Sequence, residues 1–155
     1  MTSPSLTGLE HVPLFAGLSA EALELLGNLG QEVAYDSGTS IFEYDAVGET
    51  LFIVLEGNIR LSREIAGLGD ETLTLLGPGS VFGENALLEG ATRSATARAS
   101  DHCRLFVFER LIFDDLLLMR QDVALEVAWN LVHILCGRLR ETNDKVAMLS
   151  AAAKR

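Results

Sequence analysis

The sequence predicts an α+β domain, an antiparallel β-sandwich or barrel with helices before and after it. Three observations predict this. Apolar residues recur at helical spacing before about residue 30, at a period of two from about 31 to 109, and at helical spacing again afterwards. In the middle stretch, short runs rich in Val, Ile, Phe and Thr return at roughly 8–12 residue intervals. Turn residues separate those runs, as at Asp36-Ser37-Gly38 and Gly77-Pro78-Gly79. With 155 residues, 48% of them hydrophobic, the chain can build one domain around a real core.

Residues 1 to 13 are read as a lead-in. Ser19 is placed to cap a short amphipathic helix carrying Glu21 in its first turn and Leu23, Leu26 and Leu29 behind it, with Gly30 as its stop. The strand candidates are QEVAY, TSIFEY, TLFIVLEG, NIRLSRE, ETLTLL, SATARA and CRLFVFE. Ile59 and Leu61 alternate with Arg60 and Ser62, and Leu73 and Leu75 with Thr72 and Thr74, which predicts one dry and one wet face. LIFDDLLLMR predicts a short helix opened by Asp114 and Asp115, and a much longer helix runs from Gln121 to about Ser150. The division is 1–120 for the β-rich body with its two short helices, and 121–155 for the long helix.

The charge argues against whole classes of partner. With 22 acidic and 12 basic residues the chain carries a formal charge of −10, the opposite of a nucleic-acid footprint. No signal peptide or membrane-length apolar run is visible, so a cytoplasmic protein is expected, with no DNA and no membrane partner. Cys103 and Cys136 sit in apolar segments and read as buried thiols. His11, His102 and His133 lack metal-ligand spacing, and Glu43, Asp45 and Glu49 lack the calcium-loop pattern. No catalytic constellation, cofactor motif or metal site is read, and the expectation is a binding protein and not an enzyme.

The long helix carries two apolar stripes. Leu125, Ala128, Val132, Leu135, Leu139, Thr142, Val146 and Leu149 are spaced 3 and 4 in alternation, the seam of a two-stranded coiled coil. Val123, Val127, Leu131 and Ile134 form a second stripe that stops halfway. Two stripes predict a first half docked on the barrel and a whole length paired with a second copy. A single broad core-facing stripe is the alternative.

The stretch VFGENALLEGATRSATARA, residues 81–99, carries the chemistry. Gly83 lets a ligand approach the main chain. Residues Glu84 to about Leu88 can form one helical turn, whose first N–H groups lack partners within it and favour an anion. Arg93 returns with a fork suited to phosphate, and Ser94 adds a hydroxyl and an N–H. Ala86, Leu87 and Leu88 anchor the turn. Glu84 would repel a phosphate, but it fits a sugar hydroxyl beside one.

These residues resemble the phosphate-binding cassette of cyclic nucleotide-binding domains, with Gly83, Glu84, Ala86, Leu87, Arg93, Ser94 and Ala95 in register. Asn85 and Thr92 depart from the usual residues there. The resemblance covers about residues 12 to 149. It implies an antiparallel β-roll, a jelly-roll barrel or double-stranded β-helix, flanked by a short N-terminal helix and by C-terminal helices of which the last forms a dimer. It also implies cAMP or cGMP as ligand. The phosphate would lie on Gly83, Arg93 and Ser94, and the ribose on Glu84. Phe82, Asn85, Ala86, Leu87 and Ala95 would supply backbone and anchors. RLRETNDKV is similar to the dimerisation helix of the catabolite-activator branch of that family, which implies that Thr142 and Asn143 face the base. A receptor homodimer is the leading expectation, its downstream partner unidentified. The sensory part of a transcription regulator and a dimeric scaffold with an empty pocket are the alternatives.

Overall fold

The computed structural model describes residues 6–87 and 90–154. Helix α1 (Leu6–Leu9) and a 3-10 turn at Pro13–Phe15 occupy what reads in the sequence as a lead-in, and α2 (Ala20–Leu29) follows. Ser19 caps α2 as expected, its hydroxyl accepting from the Ala22 N–H at 3.1 Å. Replacing Ser19 with Ala is expected to cost about 1 kcal/mol of stability, read by urea denaturation. Next come β1 (Gln31–Tyr35), β2 (Ser40–Phe42), β3 (Thr50–Glu56), β4 (Ile59–Ile65), β5 (Gly69–Leu76), β6 (Val81–Phe82), β7 (Thr96–Ala99) and β8 (Cys103–Glu109). Helices α3 (Arg110–Met119) and α4 (Gln121–Ala153) complete the order.

The strands form two antiparallel four-stranded sheets, β1-β8-β3-β6 and β2-β7-β4-β5, the double-sheeted roll that was expected. Two apolar clusters hold it together. Phe52, Val54, Ile59, Phe82, Ala97 and Leu105 fill the space between the sheets. Leu51, Ile53, Val81, Phe106 and Phe108 point the other way, against Leu14, Phe15, Leu26, Leu116, Val123 and Val127 of the helical layer. The first sheet is therefore covered on both faces, which is why β3 reads as an unbroken apolar run.

Several details overturn the sequence reading. On β5 the dry and wet faces are exchanged: Leu75 is 65% and Leu73 45% exposed, while Ser62 on β4 is buried at 1%. A bulge between Leu61 and Ser62 sets Thr74 opposite Leu61 and Thr72 opposite Ser62, and Leu76 joins the core opposite Ile59. Helix α3 starts at Arg110, so Asp114 and Asp115 lie in its middle, Asp114 pairing with Arg110 one turn back. Cys103 is buried, but Cys136 is exposed on α4.

Helix α4 leans on the barrel with its first half only. Val123, Ala124 and Val127 are buried, and Leu131 and Ile134 pack against the core, as the shorter stripe predicted. The longer seam is split between two faces. Ala128 and Leu135 turn partly inward, while Leu125, Val132, Leu139, Val146 and Leu149 are exposed beside Trp129. Two clamps fix the docked half. The Asn130 amide donates to the carbonyls of Leu14 and Ala16, each at 2.9 Å. Arg120, at the α3–α4 junction, grips both carboxylate oxygens of Glu21 at 2.6 and 3.0 Å.

Candidate functional site

The residues singled out on 81–99 meet at one cleft. Gly83, Glu84, Asn85, Arg93, Ser94 and Ala95 line it, together with Phe42, Leu61 and Arg138. Phe82 ends β6 and belongs to the inter-sheet core. Gly83 follows in the left-handed region (φ 75°), and Glu84–Leu87 form a 3-10 turn with Ala86 buried beneath it. Leu88 lies outside the described residues.

Arg93 enters this cleft from a pinned backbone. Its N–H donates to the Ala46 carbonyl and its carbonyl accepts from the Asp45 N–H, both at 2.8 Å. The side chain is 5% exposed. Its Nη1 donates to the Thr50 carbonyl at 2.8 Å and to the Gly83 carbonyl at 3.3 Å. The guanidinium lies 4.3 Å over the Phe42 ring and 5.7 Å from the Phe52 ring, and Phe52 stacks on Phe82 at 5.0 Å. Arg93 therefore stands on an aromatic floor that favours a cation. Burial pulls its pKa below the ordinary arginine value, while the nearby Glu84 carboxylate pulls it back up. The group stays charged. Among the described residues no carboxylate forms an ion pair with it. The protein thus keeps a desolvated cation whose only polar side-chain partners among those residues are two neutral carbonyls.

Gly48 makes room for it. A methyl group at Gly48 would stand 2.7 Å from the Arg93 guanidinium carbon, and nearer still to two of its nitrogens. The Gly48→Ala substitution is expected to push the fork off the Thr50 carbonyl and destabilise the fold by about 1–3 kcal/mol, measured by urea denaturation.

Arg138, Phe42 and Phe52 are the functional positions that sequence reasoning missed. Arg138 reads in the sequence as part of a solvated tail. In the structure it donates to the Val81 carbonyl and lies 3.5 Å from the Glu84 carboxylate. A signal for it existed. Residue 138 continues the docked stripe of Val127, Leu131 and Ile134 by one further turn, so a cation there had to arrive at the barrel. Arg138 narrows the mouth of the cleft, which remains open to solvent. Thr142 and Asn143 lie beyond it, both exposed and outside the lining of this cleft. Among the described residues no cluster of His, Cys, Asp and Glu could hold a metal ion, and no helix is long and apolar enough to cross a membrane.

The cleft's residues fall inside a region with known relatives. The family model of the cyclic nucleotide-binding domain matches residues 32–120, more than half of the chain. The chain belongs to the cyclic nucleotide-binding domain family. The Cyclic AMP receptor protein of Thermus thermophilus is 38% identical over 138 residues, which are 89% of this chain and 62% of that protein. The crystal structure of the Thermus thermophilus catabolite activator protein superposes with a TM-score of 0.76 at 38% identity, over 89% of this chain and 63% of that one. A cyclic nucleotide-binding domain from Methylobacillus flagellatus superposes with a TM-score of 0.82 at 25% identity, over 92% of this chain and 80% of that one. The chain spans about three-fifths of the length of the curated relatives it matches. Gly83, Glu84, Asn85, Arg93, Ser94 and Ala95 lie inside the matched region, and Arg138 lies beyond it on α4.

Proposed function

We propose that this chain is a cytoplasmic receptor for a cyclic nucleotide, with cAMP favoured over cGMP, and that it works as a homodimer joined along α4. One observation carries the reading. Arg93 is a buried guanidinium with no ion-pair partner among the described residues, set beside Gly83, Ser94 and a carboxylate. Desolvating a cation is costly, and an anionic ligand is the natural compensation. A single phosphate ester is small enough to meet the fork and the adjacent main chain together. Glu84, next in the chain to Gly83, is then placed to accept from a ribose hydroxyl. Phe82, Asn85, Ala86, Leu87 and Ala95 hold the cassette's backbone. Arg138 lies beside Glu84 at the mouth of the cleft, so a ribose hydroxyl that engages Glu84 competes with it and moves the Arg138 side chain away from the Val81 carbonyl. That movement gives binding a direct route into α4. The exposed stripe on α4 supports a second copy alongside, which would bring Thr142 and Asn143 of the two helices near the base. The preference for cAMP is supported by the name of the Thermus relative.

Titration calorimetry with cAMP and with cGMP tests this. Heat with cAMP, together with a rise in Tm, is expected, because a ligand that binds only the folded state stabilises it. Absence of heat with either nucleotide would leave the dimeric scaffold as the better description. Glu84→Gln keeps the size of the side chain and removes its charge. It is expected to weaken cAMP binding by about 1.5–3 kcal/mol, roughly tenfold or more, with little change in the unliganded Tm. A second reading, the sensory part of a longer transcription regulator, is favoured by the greater length of the relatives. Reading the coding sequence beyond the codon for Arg155 tests it.

A further inference from the structure

The seat of Arg93 is built largely by one connection, the stretch that joins β2 to β3. The Asp45 N–H donates to the Arg93 carbonyl, and the Arg93 N–H donates to the Ala46 carbonyl. Gly48 lies against the guanidinium, and Thr50, the first residue of β3, supplies the carbonyl that accepts from Nη1 at 2.8 Å. This connection does not hold its own shape. Asp45 has a φ of 68°, a left-handed conformation that a residue other than glycine keeps only where its surroundings hold it.

Arg110, at the start of α3, holds the far end of the connection. Its N–H donates to the Glu49 carbonyl at 2.8 Å. Its guanidinium faces the Glu49 carboxylate at 3.3 Å and the Asp114 carboxylate at 3.5 Å. The side chain is 18% exposed, and its Nε is buried with no hydrogen-bond partner among the described residues. That arrangement is costly for the fold. A buried donor left unpaired lowers stability, and an apolar side chain of similar volume often serves as well as a buried ion pair. Stability alone does not account for an arginine here. Its distinctive contact is with Glu49, held by both main chain and side chain, and Glu49 stands between the two residues that seat the Arg93 guanidinium.

We propose that Arg110 is a positioning residue for the phosphate site. By fixing Glu49 it keeps Gly48 against the Arg93 guanidinium and the Thr50 carbonyl within reach of Nη1. Arg110 is outside the lining of the cleft, so it acts through Glu49 and not on the ligand. A fork already held in place loses less freedom when a phosphate arrives, and that saving appears as affinity. Without Arg110, the stretch from Gly48 to Thr50 can shift, and binding must order it. The effect on affinity rests on the nucleotide reading above, whereas the effect on Arg93 in the free protein does not.

Arg110→Met in the full chain is the test. It is expected to leave Tm unchanged or raised, and to weaken cAMP binding by about threefold to thirtyfold in titration calorimetry. In the free protein the readout is the Nε–H NMR signal of Arg93, assigned by its loss in Arg93→Lys. The guanidinium lies 4.3 Å over the Phe42 ring, so the ring displaces that signal, and Arg110→Met is expected to shift or broaden it. Glu49→Gln leaves Arg110 in place and is expected to move the same signal. The double variant is expected to bind cAMP no more weakly than the weaker single variant, because the two residues act as one unit. An Arg93 signal that stays in place in both folded variants overturns the proposal, whatever happens to Tm. Losses of affinity that add in the double variant also overturn it. If Arg110→Met does not fold, the signal in Glu49→Gln decides. Failure of the parent chain to bind cAMP removes the receptor reading and leaves the Arg93 signal to decide the positioning role.

Discussion

Replacing Arg93 with alanine is expected to weaken cAMP binding by about a hundredfold to a thousandfold, corresponding to about 3–4 kcal/mol. The magnitude follows from where the charge sits. The guanidinium is already desolvated and already held by the Thr50 and Gly83 carbonyls and the Phe42 ring. Little further ordering is needed when a phosphate arrives, so nearly all of the attraction is available for binding. Without it, the phosphate would enter a low-dielectric cleft beside Glu84 with no opposing charge at its floor. The same change has opposing effects on the unliganded fold: it removes the guanidinium's bonds to the Thr50 and Gly83 carbonyls, of which the second still accepts from the Ala86 N–H, but it also removes a buried charge. Stability is therefore expected to move much less than affinity. Calorimetry with cAMP, with circular dichroism as the control for folding, measures the difference. A variant that binds within threefold of the parent would remove Arg93 from the phosphate site. Arg93→Lys is expected to recover only part of the loss, because a point charge on a flexible stem cannot reproduce a planar fork.

The second large effect is expected at Leu139, which is 61% exposed in the single chain. Leu139→Glu is expected to raise the dimer dissociation constant by more than about a hundredfold, or about 3 kcal/mol. Leu125, Trp129, Val132, Leu139, Val146 and Leu149 leave an apolar line along α4 that water covers in one copy and another helix would cover in two. A carboxylate in the middle of that line is buried without a partner on each helix. The two copies also repel each other, in a chain whose formal charge is already −10. Sedimentation equilibrium reads the result directly. Trp129, the only tryptophan in the sequence, gives a second signal through its emission. A parent chain that sediments as a monomer would end the dimer proposal, and an unaffected dimer in the variant would place the interface on another face.

Much of this molecule was legible before any coordinates. The Ser19 cap, the boundaries of most strands and the two terminal helices follow from local chemistry, which acts over a few residues and leaves its mark in the same few residues. Gly83 and Arg93 could be paired because they lie only ten positions apart, with a turn between them. Arg138 and Glu84 are 54 positions apart, and only the packing of α4 on the barrel joins them. The phase of β5 was misread for a related reason. Alternation shows that a strand has two faces, but a single bulge in the β4–β5 ladder, which leaves Leu73 of β5 without a partner, decides which face is buried.

By itself, the sequence determined the order of most helices and strands and the presence of more apolar surface on α4 than one docking face requires. These depend on periodicity, caps and turn residues, and neighbours along the chain supply all three. The tertiary structure decided which of those apolar residues stay exposed, that Arg93 is buried on an aromatic floor, and that Arg138 spans the mouth of the cleft. Each of these depends on distances between segments far apart in sequence, set by how whole elements pack, and no local pattern records such a distance.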